Sequence, residues 1–166
     1  MRRFDRDSAG DPIHYLSAAS IMNLHRLRPE DSFAPDGRNT YGQLAALARR
    51  IGAEDGEQIF RRMLFNVLIG NTDDHGKNHG FLFDGSAWRM APAFDITCIG
   101  GAMQSIGIGT EGRIRTVANA MSDSGRFGIT PGRYCGNRNS PSGTFRNGCA
   151  GPGSETGKSA PSWAGL

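Results

Sequence analysis

The sequence predicts an α+β fold, mostly helical with one β-hairpin, followed by a disordered tail. Three observations carry this. Two segments, over 40–52 and 57–69, repeat apolar residues at helical spacing. Asp84-Gly85-Ser86 separates two short apolar and aromatic runs, the pattern of a hairpin turn. Residues 132–165 contain no Val, Ile, Leu or Met, so they cannot offset an ordering cost of ~1–2 kcal/mol per residue. Residues 1–131 therefore form the expected folded domain, and residues 132–166 the Gly/Ser/Pro-rich tail.

The elements follow in order. Residues 12–24 form a short apolar segment, helical in its second half. A polar connection through Pro29, Pro35 and Gly37 leads to a helix capped by Asn39 or Thr40. Thr40 and Gln43 make a capping box, and Gly52 is the C-terminal stop. The next helix, from about Glu57 to Ile69, has a broad apolar face of Ile59, Phe60, Met63, Leu64, Val67 and Leu68. Phe65 and Ile69 widen it, which predicts a largely buried helix. Gly70 ends it. After the hairpin, a Gly-rich loop leads to a helix around Ile114 to Met121.

The formal net charge is +3. The tail holds Arg133, Arg138, Arg146 and Lys158 against Glu155, which accounts for all of it. Residues 1–131 are neutral, so charge gives no support for direct nucleic-acid binding by the folded part. No apolar run approaches the ~20 residues of a membrane span. No apolar h-region follows the N-terminal charges. Cys98, Cys135 and Cys149 are too few and scattered for a disulfide framework or a zinc site. These features point to a cytoplasmic protein.

Between the second helix and the hairpin lies Asn71-Thr-Asp-Asp-His-Gly-Lys-Asn-His-Gly80. It sets two carboxylates, two imidazoles, an ammonium and two amides against apolar elements. Asp73 and Asn78 are five residues apart, the Asp-x-x-x-x-Asn spacing of a phosphoryl-transfer catalytic loop. The hairpin folds the segment around Asp95 back beside Asn78. Asp73 then suits the base for a hydroxyl proton. Asn78 and Asp95 suit Mg²⁺ ligands, since magnesium takes carboxylate and amide oxygens. Asp74 is only four residues from Asn78, so spacing favours Asp73. His75 and Lys77 are candidates to contact the transferring phosphate. A competing reading is a metal-dependent phosphoester hydrolase using Asp73, Asp74, His75, His79 and Asp95. His75 and His79 have the spacing of a zinc helix, but Gly76 stands where that motif has its general base. Gly107-Ile-Gly-Thr-Glu-Gly112 reads as a turn. Gly153-Ser-Glu-Thr-Gly-Lys-Ser159 is one residue short of a phosphate loop.

The stretches Phe65-Asn-Val-Leu-Ile-Gly-Asn-Thr-Asp-Asp-His-Gly-Lys-Asn-His-Gly-Phe-Leu82 and Trp88-Arg-Met-Ala-Pro-Ala-Phe-Asp95 resemble the C-terminal lobe of HipA-type serine/threonine protein kinases. These are the toxins of HipBA-like toxin–antitoxin modules. The resemblance runs from about Arg3 to Thr130. It implies a protein-kinase-like lobe with Asp73 as catalytic aspartate, Asn78 and Asp95 as Mg²⁺ ligands, ATP as donor and a protein hydroxyl as acceptor. Arg3-Phe-Asp-Arg6 resembles the hinge strand, which gives Phe4 and Asp5 a place beside adenine. A small HipB-like antitoxin is the implied partner, and a non-catalytic antitoxin-binding module is a further alternative. The N-terminal lobe, with the phosphate-covering loop and its lysine, has no counterpart in this sequence. Lys77 is the only lysine in residues 1–131 and belongs to the catalytic loop. A separately encoded N-terminal lobe is one expected source, and without it the fragment is expected to be nearly inactive.

The abrupt change of composition suggests that translation leaves the ancestral frame near residue 132. The other two frames of the encoding DNA beyond that point are expected to yield amphipathic helical sequence. Finding none in either frame would refute the idea.

Overall fold

The computed structural model describes residues 3–26 and 37–129. The expected tail lies outside the described residues. Within them the chain is α+β, with a small antiparallel sheet packed beside helices.

The first strand, β1 (His14–Ser17), runs directly into a short helix, α1 (Ala18–Ile21), capped by Ser17, whose hydroxyl accepts from the amide of Ser20. The apolar segment over 12–24 is thus strand first and helix second. Helix α2 (Tyr41–Arg50) starts at Thr40, whose hydroxyl accepts from the Gln43 amide at 3.0 Å. That is the expected cap. Helix α3 (Gly56–Ile69) ends at Gly70 in the left-handed conformation that glycine adopts without penalty. Asp55 precedes α3 but makes no side-chain cap. Its carboxylate instead accepts from the Met90 amide at 2.6 Å, tying the start of α3 to the sheet.

Strands β2 (Gly80–Phe83) and β3 (Trp88–Met90) form the expected hairpin. Asp84 accepts from the amides of Ser86 and Ala87 and from the Ser86 hydroxyl, a side-chain-stapled turn. These donors hold its carboxyl well below the usual carboxylate range. The hairpin gains a third strand that sequence reasoning did not foresee. β1 pairs antiparallel with β2, with His14 opposite Phe83 and Ser17 opposite Gly80. The sheet order is β1-β2-β3.

The core lies between α2, α3 and the sheet. Tyr41, Leu44, Ala48, Ile59, Phe60, Met63 and Phe81 are fully buried. Phe60 meets Phe127, from the 3₁₀ turn Ser124–Phe127, with ring centroids 5.3 Å apart. Two expectations need correction. Phe65 and Leu68 are not core residues but 46 % and 69 % exposed, so α3 is buried along one stripe only. The last helix, α4 (Val117–Ser122), begins later than expected because Thr116 caps it, accepting from the Asn119 amide.

The glycine-rich turn over 107–112 is held by the Gly112 amide donating to the Gly109 carbonyl at 3.0 Å. Gly109 abuts α4 so closely that a Cβ there would overlap the Asn119 carbonyl oxygen. Gly109→Ala is expected to cost about 1–3 kcal/mol of stability. Gly125→Ala, where a Cβ meets nothing, should shift it by less than about 0.5 kcal/mol. Urea unfolding of both variants measures the contrast.

Candidate active site

The loop from Asn71 to His79 leaves the C-terminal end of α3 and enters β2, so rigid elements fix both its ends. The Asn71 amide donates to the Asn66 carbonyl and continues the α3 C-cap. Residues Gly76–Asn78 form a 3₁₀ turn. Gly76 packs closely on α1 and the turn after it: a Cβ would stand 2.6 Å from Leu24 Cδ1 and 3.2 Å from Met22 Cε, so those side chains would have to shift.

The two adjacent aspartates have opposite environments. Asp74 is fully buried. One carboxylate oxygen accepts from the Tyr41 hydroxyl at 2.8 Å and from Gln104 Nε2 at 3.2 Å, and the other from the Ser105 amide at 3.2 Å. Burial raises its pKa from 3.8 to about 7, against the lowering effect of the Tyr41 and Ser105 bonds. The Tyr41 hydroxyl also accepts from Asn66 Nδ2 at 2.9 Å. Asn66 Oδ1 accepts from Asn71, whose own Oδ1 accepts from Thr97. His79 Nε2 lies 3.2 Å from both the Asp74 carbonyl and the Tyr41 hydroxyl. Burial lowers the pKa of His79 to about 4, so it is neutral and Nε2 donates to the carbonyl.

Asp73 points the other way. Its side chain is half exposed, with His75 Nε2 3.8 Å from the carboxylate. Its carbonyl accepts from Asn78 Nδ2 at 3.0 Å. That bond occupies the nitrogen end of the amide. Asn78 lines a tight, partly open crevice together with Arg62, Asn71, His79, Phe94 and Ile96. The residues on either side of Asp95 therefore face the same space as Asn78. The Ala91 amide donates to the Gly80 carbonyl at 2.8 Å and sets this juxtaposition. Asp95 is exposed and has φ +53, a left-handed conformation uncommon for a non-glycine residue and concentrated at functional sites.

Phe4 stacks on Phe94 at 5.4 Å, which joins the segment around Arg3–Arg6 to the Asp95 segment. Asp5 pairs with Arg3, and its carbonyl accepts from the Ile13 amide. Lys77 is exposed. It lines, with His75, a groove of about 570 Å³ on the α1 side that also includes Ser17, Ser20, Leu24 and His25. His75 thus stands between Asp73 and this groove, while Asn78 faces the opposite pocket.

Among the described residues no three His, Cys, Asp or Glu side chains form a metal-binding group. The five-residue hydrolase set is not assembled, because Asp74 and His79 are committed to the Tyr41 network. Asn78 and Asp95 are one amide and one carboxylate, donor types that suit an ion keeping several waters and taking oxygens from phosphates. Sequence reasoning missed Tyr41, Asn66, Asn71, Gln104 and Thr97. Asn66, a polar residue on an apolar helix, was the one visible signal.

The chain is thus an α+β domain with a short polar loop set between a helix and a hairpin. The HipA-like C-terminal domain family model matches residues 1–135, and the chain belongs to that family. It is similar to "Putative kinase Y4mE" of Sinorhizobium fredii, at 29 % identity over 58 % of this chain and 24 % of that protein. A "Putative kinase" of Haemophilus influenzae is 26 % identical over 58 % of this chain and 29 % of its own length. The chain thus spans roughly a quarter of these relatives. In fold it resembles a chain of the Shewanella oneidensis MR-1 toxin–antitoxin complex of HipA, HipB and operator DNA. There the TM-score is 0.53 and the identity 18 %, over 75 % of this chain and 36 % of that one. No helix among the described residues is long and apolar enough to cross a membrane.

Two outcomes test the buried network. Tyr41→Phe should cost about 1–3 kcal/mol, since it leaves Asn66 and Asp74 short of a partner in the interior. The pH dependence follows from a folded pKa of Asp74 raised above its unfolded value of 3.8. Its contribution is complete below that value and lost as pH rises through about 7. The stability of wild type relative to Asp74→Asn should therefore fall with rising pH across this window, by at most about 1.4 kcal/mol per unit. His79, with its pKa lowered, acts in the opposite sense, losing stability as pH falls from 6.5 through about 4. Wild type alone should be nearly flat there, and urea titrations across the range read both slopes. A constant difference between the two proteins would refute the assignment of Asp74.

Proposed function

We propose that this chain carries the catalytic loop of a HipA-like serine/threonine protein kinase. The observation that supports this most is the separation of two aspartates in one rigid loop. Asp74 is buried and holds the loop down. Asp73 is turned to solvent, with its carbonyl binding the amide of Asn78. In this reading Asp73 accepts or orients the proton of an acceptor hydroxyl on a protein substrate. His75, with Nε2 3.8 Å from the Asp73 carboxylate, flanks it, and Lys77 meets the transferring phosphate. Asn78 and Asp95 would hold Mg²⁺, which when bound neutralises phosphate charge on ATP. Phe4, stacked beside the Asp95 segment, and Asp5 belong to the adenine side.

The relatives' names, and the match to only about a quarter of their length, also bear on activity. Phosphate positioning and electrostatics supply most of phosphoryl-transfer catalysis. The proposal therefore requires a nucleotide-covering lobe, from the rest of a longer polypeptide or from a separate chain. A HipB-like antitoxin is the proposed regulatory partner, because the structural relative is part of an assembly with HipB.

The 166-residue chain should show negligible Mg-ATP-dependent phosphorylation by itself. Co-expressed with the N-terminal lobe encoded by its own locus, or by a HipA-like relative, it should transfer γ-phosphate to protein serine or threonine. In that complex Asp73→Ala should lower turnover by about 10²–10⁴-fold. Retained activity in Asp73→Ala would remove that residue from its role. ATP-independent phosphoester turnover would instead favour a hydrolase.

A further inference from the structure

The surface of α3 away from the core is unusual in composition. Phe65, Leu68, Ile99, Met103, Ile114 and Val117 are each 43 % to 69 % exposed, and hydrogen bonds tie together the segments that carry Leu68, Ile99, Met103 and Ile114. The Gly100 amide donates to the Gly70 carbonyl at 2.8 Å, setting Ile99 beside the end of α3 that carries Leu68. Met103 and Ile114 face each other across an isolated antiparallel bridge. Between them and α3 runs Arg115, whose guanidinium donates to the carbonyls of Val67 at 3.1 Å and Gly101 at 2.5 Å. Its amide donates to Ala102. Val117 opens α4, which packs on α3. One charged side chain thus staples three segments into a platform whose outer side is apolar.

We infer that this platform is a self-association surface, occupied by the same face of a second copy of this chain. Six side chains about half exposed, at roughly 200 Å² each when open, leave about 600 Å² per copy. That is at the upper end of the largest apolar patch expected on a soluble monomer. Paired face to face it gives a total of about 1,200 Å², just within the size of specific interfaces. Residues 132–165 contain no Val, Ile, Leu or Met. An isologous pairing needs only one patch and closes after two copies. The expected dimer is weak, dissociating at micromolar concentrations, and its formation does not depend on the kinase reading.

Sedimentation velocity of the full 166-residue chain over roughly 5–200 µM should show a monomer–dimer equilibrium. Leu68→Glu with Ile99→Glu should weaken it by at least about tenfold, with an unchanged circular dichroism spectrum because both sites are exposed. As a second measurement on the unmodified chain, hydrogen-exchange protection should rise with concentration in residues 65–69 and 99–103. A strictly monomeric chain, a dimer unaffected by the double substitution, polydisperse aggregation, or concentration-dependent protection confined to other segments would each overturn the inference.

Discussion

The bond from the Tyr41 hydroxyl to the Asp74 carboxylate, 2.8 Å long and wholly buried, is the constraint on which the site depends. It joins the first residue of α2 to the middle of the polar loop, 33 positions away. A buried carboxylate is costly unless it is hydrogen-bonded, so the loop cannot shift without leaving Asp74, Asn66 and Tyr41 short of partners. The geometry of Asp73 and Asn78 is thereby set from beneath, by groups that never meet solvent.

The network also explains how an apolar helix can support a polar loop. Asn66 lies on the buried stripe of α3, among Met63 and Val67. Its two amide ends are used in opposite directions, donating to Tyr41 and accepting from Asn71. Asn71 passes the chain of bonds to Thr97, two residues beyond Asp95. The polar loop and the Asp95 segment are thus linked through a continuous series of side-chain bonds, as well as by the hairpin. Such networks specify a single arrangement when every member is satisfied.

What could be read from the sequence was what is local in it. The Thr40 cap, the Gly70 stop and the Asp84 turn are each decided by residues within a few positions, and each forms as expected. The pairing of β1 with β2 joins residues more than sixty positions apart and left no signal in either segment. Tyr41 fell within a helical apolar pattern, which conceals that its hydroxyl is the hub of the site. Leu68 was misplaced for a related reason. Periodicity identifies which residues could share a face, but not how wide a stripe the neighbouring elements cover. Here α4 and the 99–103 loop approach α3 through the Arg115 staple and leave its outer side bare.

Asp73 and Asp74 are adjacent, yet the first carboxylate is offered to solvent and the second is committed to the interior. Burial raises the proton affinity of Asp74 to about 7, a poor property for a group that must stay ionised, but compatible with an anchor that bonds in either protonation state. Asp73, half exposed with its backbone carbonyl fixed by Asn78, keeps hydration of its carboxylate while its position is constrained. Division of labour between neighbours thus separates holding the loop from offering a charged group, and a lone aspartate at either position could not do both.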